Sequence, residues 1–169
     1  MKKQIEQAFN NHLNAEFFSA YLYLSMANYF AAENLDGMAT WMRLQSEEER
    51  MHAMKFVDFI NDRGGRVTLQ QIDQPAIEWD SPLAAFQDAY DHECLISGKI
   101  NALVDMANKE NDHAAHNFLQ WFVSEQVEEE ATAQRIVEQL KRVGDNPVGL
   151  MIIEQQLASR NATPAEAAD

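Results

Sequence analysis

Cysteine occurs once in this 169-residue chain, as Cys94, which leaves no partner for an intrachain disulfide and excludes a four-cysteine iron centre of the rubredoxin type. Proline (four) and glycine (six) are scarce and fall at a few boundaries, so the stretches between them are free to be long helices. Basic residues are also few, 13 against 27 acidic, for a net charge of −14. Nucleic acid and anionic membranes would repel such a chain, and cations are its natural ligands. No run is long and apolar enough to span a bilayer. The opening Met1-Lys2-Lys3-Gln4-Ile5-Glu6 is basic but leads into polar residues, so no secretory signal is expected and the cytoplasm is the expected location. What the chain does have is apolar content of 46%, enough for one domain with a substantial core.

That apolar content is arranged with helical periodicity. Ile5, Phe9, Tyr23, Ala27 and Phe30 lie at or near multiples of seven or eleven positions from Glu16, which puts an acid on a buried stripe. A second helix is expected from near Asp36, with Leu35 as a staple, to Gly64-Gly65; its inner face reads Met38, Met42, Gln45, Glu49, His52, Phe56, Ile60. Ser81-Pro82 opens a third, with Phe86, Glu93, Ile100 and Val104 inward. After a break at Asn111-Asp112 comes a fourth, with Ala115, Leu119, Phe122, Gln126, Glu129, Ala133, Val137 and Leu140 in register. The segment from Gly65 to Ser81 carries Val67, Leu69, Ile72, Ile77 and Trp79 and is long enough to run the length of a helix. The expected architecture is all-α: a four-helix bundle whose long crossover lies against it and makes helices two and three parallel. Asn146-Pro147 starts a short fifth helix, Val148 to about Leu157, whose run Leu150-Met151-Ile152-Ile153 must pack on its own bundle or on other copies. Residues 1–160 form the expected domain, and the Ala-rich tail Asn161 to Asp169 is expected to be flexible.

All four inward stripes pass through metal-ligand residue types, and these recur. Glu16 and Glu93, Glu49 and Gln126, His52 and Glu129 are each separated by 77 positions. Each half therefore offers one carboxylate from one helix and an i, i+3 pair from the next, on one face. The second pair is Gln-x-x-Glu rather than Glu-x-x-His, so the site should be asymmetric. Four buried carboxylates cost several kcal/mol each in lost hydration unless something positive compensates them, and no Lys or Arg lies on the inner stripes nearby. Two divalent cations would serve, with Glu16 and His52 on one, Glu93 and Glu129 on the other, and Glu49 bridging. Oxygen ligands with one imidazole suit Fe, Mn or Zn. Two ferrous ions would pass two electrons together to dioxygen or hydrogen peroxide. Tyr23, two turns beyond Glu16, is placed either to hydrogen-bond a ligand or to donate an electron; Trp121 is read chiefly as packing. Glu48, Glu125 and Glu128 suggest an accessory cation site beside the pair.

The blocks Asn14-Ala15-Glu16-Phe17-Phe18-Ser19-Ala20-Tyr21-Leu22-Tyr23, Glu47-Glu48-Glu49-Arg50-Met51-His52 and Asn117 to Glu129 resemble those of bacterial non-haem ferritins, up to about Arg160. The resemblance implies a ferritin-like bundle with a fifth helix, assembled as a homo-oligomeric cage of 24 subunits. Its implied activity is that of a ferroxidase that oxidises Fe(II) and stores ferric mineral. It implies a first iron site of Glu16, Glu49 and His52, and a second of Glu49, Glu93 and Glu129 with Gln126 nearby. A third would use Glu48, Glu125, Glu128 and Glu129, with Tyr23 close by. Bacterioferritins are similar in fold but hold haem through a methionine directly after the first motif's glutamate. Here that residue is Arg50, and Glu129 stands where their second motif has histidine, so no haem is expected.

Other residues carry plainer readings. Glu47 and Glu130 are read as solvated face, and His12, His92, His113 and His116 as exposed or boundary residues. Cys94 is read as a small buried thiol. Two further functions fit the pattern: a soluble di-iron peroxidase related to rubrerythrins, which the lone cysteine and apolar fifth helix disfavour, and a metal-buffering bundle without redox turnover.

Overall fold

The structure, a computed structural model, describes residues 1–160; the tail read above as flexible lies outside the described residues. Five helices carry the chain: α1 Lys3–Ala32, α2 Asp36–Asp62, α3 Pro82–Lys109, α4 His113–Val143 and α5 Pro147–Ala158. Among the described residues there is no strand. No described helix is long and apolar enough to cross a membrane.

The hairpin turns repeat with the same spacing as the ligand types. α1 ends with Asn34 at φ 60° and α3 with Asn111 at φ 52°, 77 positions apart, and each closes its helix by a backbone bond to the carbonyl five residues before the next residue. These are Leu35 N–H to Phe30 O at 2.9 Å and Asp112 N–H to Ala107 O at 2.9 Å. Gly64 at φ 65° ends α2 in the same way, with Gly65 N–H on Ile60 O at 2.8 Å. Asparagine and glycine are the residues that tolerate this left-handed position. The expected start at Ser81-Pro82 is also found: Ser81 Oγ accepts from Ala84 N–H with Pro82 as the first helical residue.

α2 begins differently from its reading. Asp36 is already helical and Leu35 occupies the cap position without a capping side chain. The missing acceptor comes from α5: Glu154 Oε1 accepts from Met38 N–H at 2.8 Å. The two helices approach so closely that a Cβ on Gly37 would stand 2.1 Å from the Glu154 carbonyl oxygen. Gly37→Ala must push α5 away, and overpacking of this kind costs about 1–3 kcal/mol. The apparent thermal midpoint should fall by several degrees, read by scanning calorimetry against the unaltered chain. An unchanged midpoint would mean that α5 is not firmly docked.

Residues 65–81 form the crossover, and its contact with the bundle is more polar than its composition suggests. Leu69, Ile72 and Ile77 are exposed, while Val67 and Trp79 are half-buried and Pro75 is buried. The strap is held instead by side chains of α1. Asn10 donates to Arg66 O (3.0 Å) and accepts from Thr68 N–H (2.6 Å), Asn14 donates to Gln71 O (3.3 Å), and Ser25 donates to Ala76 O (2.6 Å). Contacts that advance along both segments together mean that the strap runs parallel to α1, which makes α2 and α3 parallel as expected.

Two apolar clusters fill the bundle. One contains Phe30, Met38, Phe86, Leu140, Ile153 and Leu157, the other Phe9, Phe56, Ile60, Ile100, Leu119 and Phe122. On α3 the inward stripe passes through Leu103 and Ala107, with Val104 only half-buried. α5 divides its apolar residues: Ile153 and Leu157 are buried in the bundle, while Val148, Met151 and Ile152 face outward. Of the two fates expected for its apolar run, packing on its own bundle is observed, and the outer face remains exposed in the single chain.

Candidate metal centre

A polar layer interrupts the core. Glu16, Gln45, Glu49, His52, Glu93, Gln126 and Glu129 are all buried, with Glu16 and Glu93 at 1% exposure. The helices supply them as their periodicity requires: Glu16 from α1, Glu49 and His52 one turn apart on α2, Glu93 from α3, Gln126 and Glu129 one turn apart on α4.

Ligand atoms of Glu16, Glu49 and His52 lie within 4.8 Å of one another, as do those of His52, Glu125 and Glu129. Histidine nitrogen and carboxylate oxygen at such separations form a donor set for divalent iron, manganese or zinc. Glu93 belongs to neither group; Tyr23 donates a short hydrogen bond to its Oε1, and the Gln126 amide donates to its Oε2 at 3.1 Å. Gln126 also donates to the Glu93 carbonyl at 3.2 Å. In this arrangement Tyr23 and Gln126 hold Glu93 in place. Trp121 packs edge-on to the His52 ring, 5.3 Å between centroids, and Lys55 Nζ lies over the indole, 4.2 Å from its centroid. Of the accessory acids, Glu125 joins the His52 group, Glu48 pairs with Arg160, and Glu128 is exposed on α4.

The titration of these groups reflects their burial. Glu49, Glu93 and Glu129 are each pushed up to about 8, first by desolvation. Glu49's charge adds to the effect on Glu93, and Glu93's to that on Glu129. Burial works against a charged His52 most of all, but Glu49, Glu16 and Glu129 together outweigh it and raise the imidazole to about 10. Glu16 alone goes the other way: burial opposes its ionisation, yet the His12 ring lowers its pKa below the ordinary carboxylate value. Tyr23 is raised well above 10 by burial and by Glu93, so its phenol stays a donor. These shifts favour protons over four adjacent negative charges, and divalent cations would take the place of those protons.

Three polar partners escaped the sequence reading. His12 was placed among exposed or boundary residues but is 2% exposed, with its Nε2–H donating to Glu16 Oε1 at 2.7 Å. Its Nδ1 and Glu16 Oε2 are buried without a hydrogen-bond partner, which leaves that carboxylate oxygen available to a cation. His92 is buried too, its Nε2 2.7 Å from Ser19 Oγ. Gln45, seen as inward-facing, donates its amide to Glu129 Oε2 at 2.8 Å and to Glu49 Oε1 at 3.4 Å. His12 and Gln45 both stand four residues before a candidate ligand, a spacing that signals contact on a helix. His113 is exposed and His116 half-buried, as read, whereas Cys94 is only half-buried and Glu130 is half-buried with Ser97 donating to it.

Comparison with known proteins agrees with this architecture. The family model described as a ferritin-like domain matches residues 6–143. A bacterial non-heme ferritin of Bacteroides fragilis is 44% identical over 160 residues, covering 95% of this chain and 99% of its own. One from Staphylococcus epidermidis is 37% identical over 161 residues, covering 95% and 97%. Among solved structures, an open-pore ferritin from the hyperthermophilic archaeon Archaeoglobus fulgidus superposes with a TM-score of 0.95 at 50% identity, covering 95% of this chain and 99% of that one. An engineered closed form of that ferritin superposes equally well, with 96% and 99% covered. With its buried carboxylate and histidine layer, its parallel crossover and its short last helix, the chain belongs to the ferritin family.

Proposed function

We propose that each subunit is a ferroxidase that feeds the iron store of a ferritin cage. Iron storage follows from the family. The reading of an oxidation site rests on one observation above others, the buried Glu16, Glu49 and His52 with ligand atoms within 4.8 Å, in a layer that also buries Glu93 and Glu129. Two Fe(II) ions are the substrate. One is held by Glu16, His52 and Glu49, the other by Glu49, Glu93 and Glu129, with Gln126 orienting Glu93. Each Fe(II) gives up one electron; dioxygen takes two electrons and two protons to become hydrogen peroxide, or peroxide takes the same to become two waters. Pairing the irons avoids superoxide. Tyr23, held as a neutral phenol, keeps the Glu93 carboxyl aimed inward. Glu48, Glu125 and Glu128, with Glu129, form an accessory iron position. Residues 1–160 act as one di-iron domain, haem plays no part, and the assembly works in the cytoplasm.

The outward face of α5, with Val148, Met151 and Ile152 exposed, supports burial against other copies in a cage of 24 chains. Stopped-flow mixing of the metal-free protein with Fe(II) in air should give an absorbance rise well ahead of autoxidation. Size-exclusion chromatography with light scattering should give roughly 24 copies of the 19.3 kDa chain, about 460 kDa. A dimer that consumes peroxide without accumulating iron would establish the peroxidase instead, and metal binding without oxygen uptake the buffering bundle.

A further inference from the structure

Beyond the end of α5, Arg160 turns back towards the polar layer. Its guanidinium lies over the Trp41 ring, 4.7 Å from the centroid, and forks onto two residues of α2. Nη1 donates to Gln45 Oε1 at 2.8 Å, and Nη2 donates a short hydrogen bond to Glu48 Oε2. The contact is largely shielded, with the side chains of Arg160 and Glu48 at 21% and 12% exposure.

This fork decides which way the Gln45 amide points. Gln45 is fully buried, and its two ends face opposite kinds of partner. With Oε1 receiving the guanidinium, Nε2 must face Glu129 and Glu49, to which it donates. Flipped, the amide would turn its NH2 towards the guanidinium, which has no acceptor, and the bond that Arg160 donates to Oε1 would be lost without replacement. A residue on the chain's last described turn thus sets a donor shared by candidate ligands of α2 and α4. The same guanidinium places a positive charge on Glu48, at the edge of the layer.

We infer that Arg160 is a positioning residue for the di-iron site and the resident cation at its rim, which a third metal ion binding at Glu48 must displace. This rests on the ferroxidase reading above. A planar fork stacked on Trp41 suits both duties, because a lysine ammonium cannot span Gln45 and Glu48 with the same rigid geometry.

The test is an anaerobic Fe(II) titration of the assembled, metal-free protein by equilibrium dialysis, for the unaltered chain, Arg160→Met, Arg160→Lys and Glu48→Gln/Arg160→Met. Two tight equivalents per unaltered chain are expected, with a weaker third. Arg160→Met keeps the stem against Trp41 and removes the charge, so the third equivalent should tighten about tenfold while the first two loosen several-fold as Gln45 is released. Arg160→Lys should keep the third equivalent weak yet still loosen the first two. The gain at the third position should vanish when Glu48→Gln is added. Simple loosening of α5 would lower the thermal midpoint without tightening any metal, and that result overturns the inference. So does an unchanged third equivalent in Arg160→Met. If the unaltered chain binds no pair of ions, the ferroxidase reading falls and this inference falls with it; if it binds the pair and the variants match it, this inference alone fails.

Discussion

Glu49→Gln is expected to reduce the rate of Fe(II) oxidation at least about 100-fold and to remove tight binding of the second Fe(II), while the chain still folds and assembles. Glu49 stands among several of the layer's polar groups. It shares a cluster with Glu16 and His52, its Oε2 is 3.5 Å from His52 Nδ1, and it accepts from Gln45, which also holds Glu129. After burial itself, its charge is the chief influence raising Glu93. From among the ligand types of α1 and α2 its charge thus reaches the acid of α3, and a bridging carboxylate is what keeps two metal ions close enough to react together. The amide conserves volume, so the core is not opened, but it offers one neutral oxygen in place of two charged ones. Glu47→Gln is the matching control. Glu47 is exposed, paired with Arg50, and two residues away on the same helix, and its loss should leave the rate unchanged. Stopped-flow absorbance and anaerobic dialysis measure the two effects; wild-type oxidation by Glu49→Gln would end the bridging assignment.

The parts of this site visible in the sequence are those that helical repetition encodes. Inward stripes on α2 and α4 hold at every position named, because each residue's burial follows from the spacing of its neighbours on one face. The 77-residue recurrence was legible for the same reason, and the structure extends it to Asn34 and Asn111, whose left-handed turns close equivalent hairpins. Contacts made by the folded shape alone were not legible. Leu69, Ile72 and Ile77 looked like packing residues, but a strap tied down by Asn10, Asn14 and Ser25 presents them to the outside. Its anchors are polar residues of α1 to which the spacing pattern assigned no role. His12 escaped notice since a lone histidine is usually exposed, although its position one turn before Glu16 placed it on the buried stripe. Arg160 is 112 residues from Glu48, and only the docking of α5 brings them together. The expectation that no Lys or Arg lies on the inner stripes near the acids is compatible with this contact, because Arg160 reaches Glu48 from beyond the end of α5.

Without metal, the protein should be most stable near pH 4.5 and lose several kcal/mol per subunit by pH 9, and divalent cations should abolish most of that loss. The sign follows from where protons reside. Glu49, Glu93 and Glu129 titrate near 8 when folded and near 4.5 when unfolded, so between those values the folded state binds more protons. Stability then falls as pH rises through that interval. His52, raised from 6.5 to about 10, acts in the same direction: its contribution is complete below 6.5 and lost as pH climbs through 10. Two groups oppose this at the acid end. Glu16, lowered by His12, loses its contribution as pH falls below the ordinary carboxylate value. His92 is depressed to about 4 by burial first and Lys99 second, so it resists protonation in the fold and destabilises it as pH drops from 6.5 towards 4. Between 4.5 and 6.5 the three acids outweigh His92, so the maximum lies near 4.5. One pKa unit corresponds to about 1.4 kcal/mol, and because the acids share one electrostatic field their shifts do not add in full, which leaves a loss on the order of 5 kcal/mol. At roughly 2–4 °C per kcal/mol for a domain of this size, the apparent midpoint should drop by about 10 °C or more between pH 6 and pH 9. Zn(II), which undergoes no oxidation, should restore the midpoint most strongly at the alkaline end, since it takes the place of protons already leaving. At pH 7 its binding should expel roughly two to four protons per subunit, measurable by calorimetry in buffers of different ionisation enthalpy. A flat midpoint across this range, or binding with no proton release, would show that the buried acids are ionised before the metal arrives and are balanced by some other charge.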